Sequence, residues 1–191
     1  MGRPWRSEPG AGVWLTIVER PSDVASIELL SLRVGLALSR ALDRFSESPV
    51  RLKWPNDLYV GERKLAGVLI EARWREARPD WVAIGVGINL RPPASEPRAA
   101  GLRAGTTRND VLERVVPGIR AAAAEVGPLS DYELAAYADR DFAAGRACTE
   151  PAVGIVQGIN AVGSLLVKIS SHGAPTVIAV RAGSLVLREN Q

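Results

Sequence analysis

Three apolar runs of strand character, Leu58 to Val60, Lys64 to Trp74 and Trp81 to Leu90, follow one another with barely any chain between them. Gly61-Glu62-Arg63 joins the first two as a hairpin turn, and Pro79-Asp80 marks the break before the third. A crossover helix needs a dozen or more residues, so loops this short predict an antiparallel sheet rather than a doubly wound parallel one. Val13 to Val18 alternates as a further strand, and Val50 to Trp54 restarts one after Pro49. Between them Val24, Ile27, Leu30, Val34, Leu38, Ala41, Leu42 and Phe45 keep the spacing of one apolar helix face, capped by Ser22 or Asp23.

Arg91 to Gly105 reads as a loop, and Thr107 with Asp110 as a capping box for a helix to about Val126 that Pro117 kinks. A second helix is expected over Asp131 to Ala144, then a linker from Gly145 to Pro151. Beyond it short β-runs, Val153–Ile159, Leu165–Ser170, Thr176–Arg181 and Leu185–Leu187, are punctuated by Gly163, Gly173 and Gly183. They predict a small barrel of the SH3-like kind. The fold expected is therefore α+β, with a larger region over 1–147 and a barrel over 148–191.

The chain's 191 residues suffice for a core without disulfides or metals. Its single cysteine, Cys148, excludes an internal disulfide and a multi-cysteine zinc site, and its single histidine, His172, argues against His-rich metal or Ser-His-Asp chemistry. Cys148 is expected in a linker or packing role, and His172 in a turn beside Gly173. A net charge of +3 is weak evidence for nucleic acid, and the absence of a long apolar run or secretory start suggests a cytoplasmic protein off the membrane. Lysine appears only at Lys53, Lys64 and Lys168, so arginine supplies the rest of the 24 cations. Two of those three lysines fall in one short segment, where a compact ammonium rather than a guanidinium is wanted.

That segment opens with Arg51-Leu-Lys-Trp-Pro-Asn-Asp57. Strand alternation puts Arg51 and Lys53 on one face and Leu52 and Trp54 on the other. Pro55 forces an exit from the strand and Asn56-Asp57 favours a turn, so an ammonium is displayed beside an amide and a carboxylate. An ordinary surface lysine before a turn is the plain alternative. In Lys64-Leu-Ala-Gly-Val-Leu-Ile-Glu71 the mid-strand Gly67 marks close approach by a ligand or another backbone. Gly85-Val-Gly-Ile-Asn89 leaves one strand face bare, enough for a flat ring to lie on, but no strand-Gly-x-Gly-x-x-Gly-helix unit surrounds it.

Lys53-Trp-Pro-Asn-Asp57, Lys64-Leu-Ala-Gly67 with Glu71, and Gly85-Val-Gly-Ile-Asn89, in that order, resemble the biotin–protein ligase family. The tail segments Gly154–Ile159, Gly163–Val167 and Ala182–Leu187 are similar to that family's SH3-like C-terminal domain. The resemblance implies a class II aminoacyl-tRNA synthetase/biotin synthetase-like catalytic domain, with biotin and MgATP as substrates. These form biotinyl-5′-AMP, and biotin then passes to a lysine of a carboxylase's biotin carboxyl carrier domain.

It further implies that Lys53 contacts the biotin carboxylate and α-phosphate. Asn56 and Asp57 then orient the nucleotide and its Mg²⁺, and Trp54 packs beneath the site. Lys64 and Gly67 line the ligand edge, Gly85, Gly87 and Asn89 the adenosine side, and Arg3 and Trp5 a closing loop. The opening Gly2-Arg3-Pro4-Trp5, with Ser7, Pro9 and Gly10, looks like the sequence just after the family's Gly/Arg-rich loop. The expectation is thus that a strand, a Ser-Thr-Asn helix and that loop belong upstream, through truncation or a misassigned start. No DNA-binding helix-turn-helix is expected in the chain, and a homodimer is compatible with the family. Two alternatives stay open: a non-catalytic relative that binds biotin or the carrier, and a lipoate–protein ligase.

Overall fold

The computed structural model describes residues 9–20, 23–76, 78–171 and 174–188. Ten strands, β1 (Gly12–Glu19), β2 (Arg51–Lys53), β3 (Asp57–Val60), β4 (Arg63–Arg75), β5 (Arg78–Asn89), β6 (Ala147–Glu150), β7 (Gly154–Ile159), β8 (Leu165–Ser171), β9 (Ala174–Val180) and β10 (Val186–Leu187), form two five-stranded sheets. Three α-helices, α1 (Val24–Leu42), α2 (Arg108–Ala124) and α3 (Asp131–Ala138), and one 3-10 turn, Asp43–Phe45, complete the described elements. The first sheet runs β1-β5-β4-β3-β2 and the second β10-β6-β7-β8-β9, every pairing antiparallel. The expected α+β class and antiparallel sheet are what the chain adopts.

One face of the first sheet is covered by α1 and α2. Alternation sends Val13, Ala66, Val68, Val82, Ile84, Val86 and Ile88 to that side, where they are buried with Val34, Leu38, Val115 and Ile119 from the helices. Asp23 caps α1, its carboxylate accepting from the backbone N–H of Ala25 and Ser26 at 3.2 and 3.1 Å. The alternative cap, Ser22, lies outside the described residues, as do His172 and Gly173. Thr107 and Asp110 form the expected capping box at α2, which runs on through Pro117 to Ala124. Ser130 and Glu133 form a second capping box at α3, legible as Ser-x-x-Glu yet missed.

Three boundaries differ from the sequence reading. The expected break at Pro79-Asp80 lies inside β5, because Pro79 sits one pair from the hairpin end, beside a bulge at Arg73/Trp74, where a missing donor costs little. The second helix stops at Ala138 instead of Ala144. The residues after it turn back onto β2: the Leu52 N–H donates to the Arg140 carbonyl, and the Phe142 N–H to the Leu52 carbonyl, both at 2.8 Å. Finally, the expected linker contains β6, whose Ala147 and Cys148 pair with Ile155 and Gly154. Cys148 is buried there, its thiol raised by burial and directed at the Ala152 carbonyl at 3.2 Å, a packing role.

Candidate functional site

The registers of the first sheet align one residue from each strand. Lys53 stands opposite Asp57, Asp57 opposite Gly67, Gly67 opposite Gly87, and Gly87 opposite Trp14. Directly paired residues in antiparallel strands share a face, and neighbouring strands lie about 4.8 Å apart, so the row crosses roughly 19 Å. It offers, in order, an ammonium, a carboxylate, two bare backbone positions and an indole. The adjacent row is Leu69, Gly85 and Thr16. This is the face away from α1 and α2, and on it Leu69 is 52% exposed and Trp14 39%.

Two glycines of this floor, Gly67 and Gly85, are not demanded by contacts within the fold. None of Gly67, Gly85 and Gly87 has positive φ. A Cβ added at Gly67 would reach Asp57 Oδ1 and Lys64 Nζ at 3.5 Å, and one at Gly85 the Leu69 carbonyl at 3.5 Å, ordinary van der Waals contacts. At Gly12, by contrast, it would meet the Ile88 carbonyl at 2.7 Å, so there the fold itself demands glycine. Bare backbone at Gly67 and Gly85 therefore shapes a surface for something laid against it.

Lys53 and Arg51 project to this face, as alternation predicts, while Leu52 and Trp54 are buried. The Lys53 ammonium sits 5.6 Å from the Tyr59 ring centroid, and Tyr59 stacks on Phe142 at 4.4 Å and 20°. Arg51 and Arg146 flank Phe142 at 5.3 and 4.5 Å. Burial, then the nearby Asp57 and Glu62 carboxylates, push the Tyr59 phenol upward, so it stays neutral. An aromatic ledge thus lies under the lysine, contributed partly by the segment that follows α3.

Lys64 and Asp57 form an ion pair, Nζ to Oδ1 at 2.5 Å, directly above Gly67. Asn56 is pinned onto β4: its carbonyl accepts from the Val68 N–H at 2.9 Å and its Nδ2 donates to the Val68 carbonyl at 2.7 Å. Asn89 shares the face of Gly85 and Gly87, its Nδ2 reaching the Lys64 carbonyl at 3.4 Å. Trp54 packs under the turn, its indole N–H donating to the Gly163 carbonyl at 3.0 Å. So Lys53, Asp57, Lys64, Gly67, Gly85, Gly87 and Asn89 meet on one face, whereas Arg3 and Trp5 lie outside the described residues.

Sequence reasoning passed over Trp14, Tyr59 and Phe142. The alternation of β1 already put Trp14 opposite the core-facing Val13, but only the register shows which strand it adjoins. The described residues hold no group of three or more His, Cys, Asp or Glu arranged for a metal ion. Asp57 is the one carboxylate of the row, which suits a Mg²⁺ that arrives chelated by phosphates and takes one or two protein carboxylates.

Comparison with known proteins agrees with this geometry. Residues 1–89 match the model of the biotin/lipoate A/B protein ligase family. The bifunctional ligase/repressor BirA of Escherichia coli is 38% identical over 90 residues, covering 47% of this chain and 28% of that protein. The matched stretch thus spans under a third of the BirA sequence. The biotin–[acetyl-CoA-carboxylase] ligase of Mycobacterium tuberculosis is 30% identical over 202 residues, covering 97% of this chain and 73% of that one. Among solved structures, the biotin protein ligase from Aquifex aeolicus in complex with biotin and ATP superposes with a TM-score of 0.74 at 24% identity, over 99% of this chain and 83% of that chain. The fold is therefore shared along nearly the whole chain. Since the sequence match to the Mycobacterium enzyme runs equally far, this chain belongs to the biotin–protein ligase family.

Proposed function

We propose that the chain carries the adenylation site of a biotin–protein ligase. In this reading the biotin carboxylate attacks the α-phosphorus of MgATP, pyrophosphate leaves, and biotinyl-5′-AMP results. A carrier-domain lysine amine then attacks the acyl carbon and AMP leaves. The carrier would be the biotin carboxyl carrier domain of a carboxylase, as the biotin–[acetyl-CoA-carboxylase] ligase of Mycobacterium tuberculosis suggests. The observation that carries the reading is the row of Lys53, Asp57, Gly67 and Gly87 across four strands.

Lys53 is assigned to the carboxylate and α-phosphate, where a fixed positive charge favours the more anionic transition state. Gly67, Gly85 and Gly87 give the ligand its floor, with Asn89 at the rim. Asp57 and Lys64 divide the polar end: the carboxylate would hold the Mg²⁺ that comes with ATP, and the ammonium would face the phosphates. Asn56 holds the turn to β4 and presents its remaining amide capacity to the nucleotide. Arg3 and Trp5 are assigned to a loop that closes over the adenylate and keeps water from the anhydride.

Residues 1–147 are taken as the catalytic region and 148–191 as an SH3-like unit, working in the cytoplasm and compatible with a homodimer. No helix among the described residues is long and apolar enough to cross a membrane. Incubation with biotin, MgATP and labelled pyrophosphate tests the assignment. Biotin-dependent exchange of label into ATP is the expected result; binding of biotin without exchange would make the chain a non-catalytic relative, and exchange with lipoate alone would move it to that branch.

A further inference from the structure

Between α1, α3 and the Lys53–Asp57 turn lies a cavity of about 10 Å³, on the order of a single water molecule. Ser31 and Gly35 of α1, Lys53, Pro55 and Asn56 of the turn, and Tyr137 of α3 line it. Tyr137 is 2% exposed; its phenol oxygen lies toward the Trp54 backbone N–H without closing a well-formed bond, and its own O–H has no acceptor, so that among the described residues only it and the Ser46 hydroxyl are buried without a well-formed hydrogen bond. Such orphans are rare in folded proteins, because a buried hydroxyl loses its water without compensation. The polar surroundings are at hand. The Ser31 hydroxyl donates to the Pro55 carbonyl at 3.2 Å, leaving that carbonyl a second lone pair. The Trp54 backbone N–H faces the phenol oxygen, while burial and the Asp141 carboxylate keep the phenol protonated and able to donate.

We propose that Tyr137 is a positioning residue for the Lys53–Asp57 turn: its hydroxyl holds one water in this cavity, and that water hydrogen-bonds the backbone of the turn. The turn has reason to need it. Pro55 supplies no N–H, and the strand that displays Lys53 is only three residues long. A bridge from α3 through one water, with Ser31 reaching from α1, sets the height of the lysine over the sheet. Water with three polar partners is held as part of the structure.

The kinetic arm of the test rests on the ligase reading; the structural arms do not. A high-resolution crystal structure of the chain is expected to show a water within hydrogen-bond distance of Tyr137 Oη, absent in Tyr137→Phe. Exchange of the Asn56 and Asp57 amides should accelerate about fivefold to tenfold in that variant, with the Val82–Ile88 amides of β5 unchanged. In ATP–pyrophosphate exchange, kcat should fall about fivefold to tenfold with KM for biotin within about twofold. Ser31→Ala, which removes a direct bond to the Pro55 carbonyl instead, should leave the water on Tyr137 Oη in place, so the two substitutions should add in their effect on the turn amides. Should Tyr137→Phe fail to fold, the presence or absence of a water on Tyr137 Oη in the wild-type crystal decides the proposal. A dry cavity in the wild-type crystal, or turn amides that exchange at wild-type rates in the variant, overturns the proposal. If the wild type shows no pyrophosphate exchange, the ligase reading fails while the water and the amides still decide this one.

Discussion

Lys53 earns its place by where it stands rather than by what it touches. It ends a three-residue strand, faces Asp57, and rests against the Tyr59 ring. Lys53→Ala should lower adenylate formation by about two orders of magnitude or more, the loss expected for one pre-organised donor, with an unchanged melting temperature. Lys53→Arg should not restore it, because a planar fork does not fit where a point charge is wanted. Both are read in the exchange assay. Gly67 makes the complementary case. An added Cβ would make only ordinary contacts there, so Gly67→Ala should fold yet raise KM for ATP severalfold by filling the floor above which Lys64 and Asp57 meet. The lysine and the glycine were both visible in the sequence, since rare residue types in a strand context announce themselves. Tyr59 and Phe142 were not, because two aromatics 83 positions apart in number meet only after the chain has folded.

At the level of elements, α1 is anchored by a buried charge. Arg33, 3% exposed, donates to the Glu133 carboxylate at 2.8 Å and to the carbonyls of Glu125, Gly127 and Pro128. Burial works to raise the Glu133 carboxyl, but Arg33 and the Ser130 cap outweigh it and hold the group below its ordinary 4.5. With the folded value depressed, the stabilisation is complete above about pH 4.5 and is lost as pH falls through the lower folded value. Melting temperature should therefore drop on acidification below that point, and Glu133→Gln should flatten the slope while lowering stability at pH 7. Differential scanning calorimetry across pH 3 to 7 checks both. Helix and strand periods made α1, β4 and β5 legible. The end of α3 was not, because Ala143 and Ala144 extend a helix-compatible pattern, and it is the open edge of β2 that recruits the backbone of Arg140 and Phe142.

Across the whole molecule, the two sheets are tied together beneath the candidate site. Trp54, one residue beyond Lys53, sends its indole N–H to the Gly163 carbonyl in the turn between β7 and β8, while Arg146 pairs with Glu62 of the β3–β4 hairpin at 3.0 Å. Trp54→Phe keeps the ring contact and removes the donor, leaving a buried carbonyl short of its partner. It should cost about 1–2 kcal/mol in urea denaturation, and more if the two sheets unfold as one unit than if they part first. The order of motifs along the chain disclosed the family, and loop lengths disclosed the first sheet. That the last strands buttress the Lys53 turn was hidden, because nothing in Gly163 names its distant partner.

The hydrogen bonds that carry Arg140 and Phe142 onto β2 join residues some 90 positions apart. Contacts so distant in sequence close late, after the loop entropy between them has been overcome. During synthesis the lysine strand keeps one flank unzipped until the ribosome has released the segment beyond α3. A nascent chain shorter than that has its motifs translated but their strand still open at the edge, a surface on which another extended segment could pair.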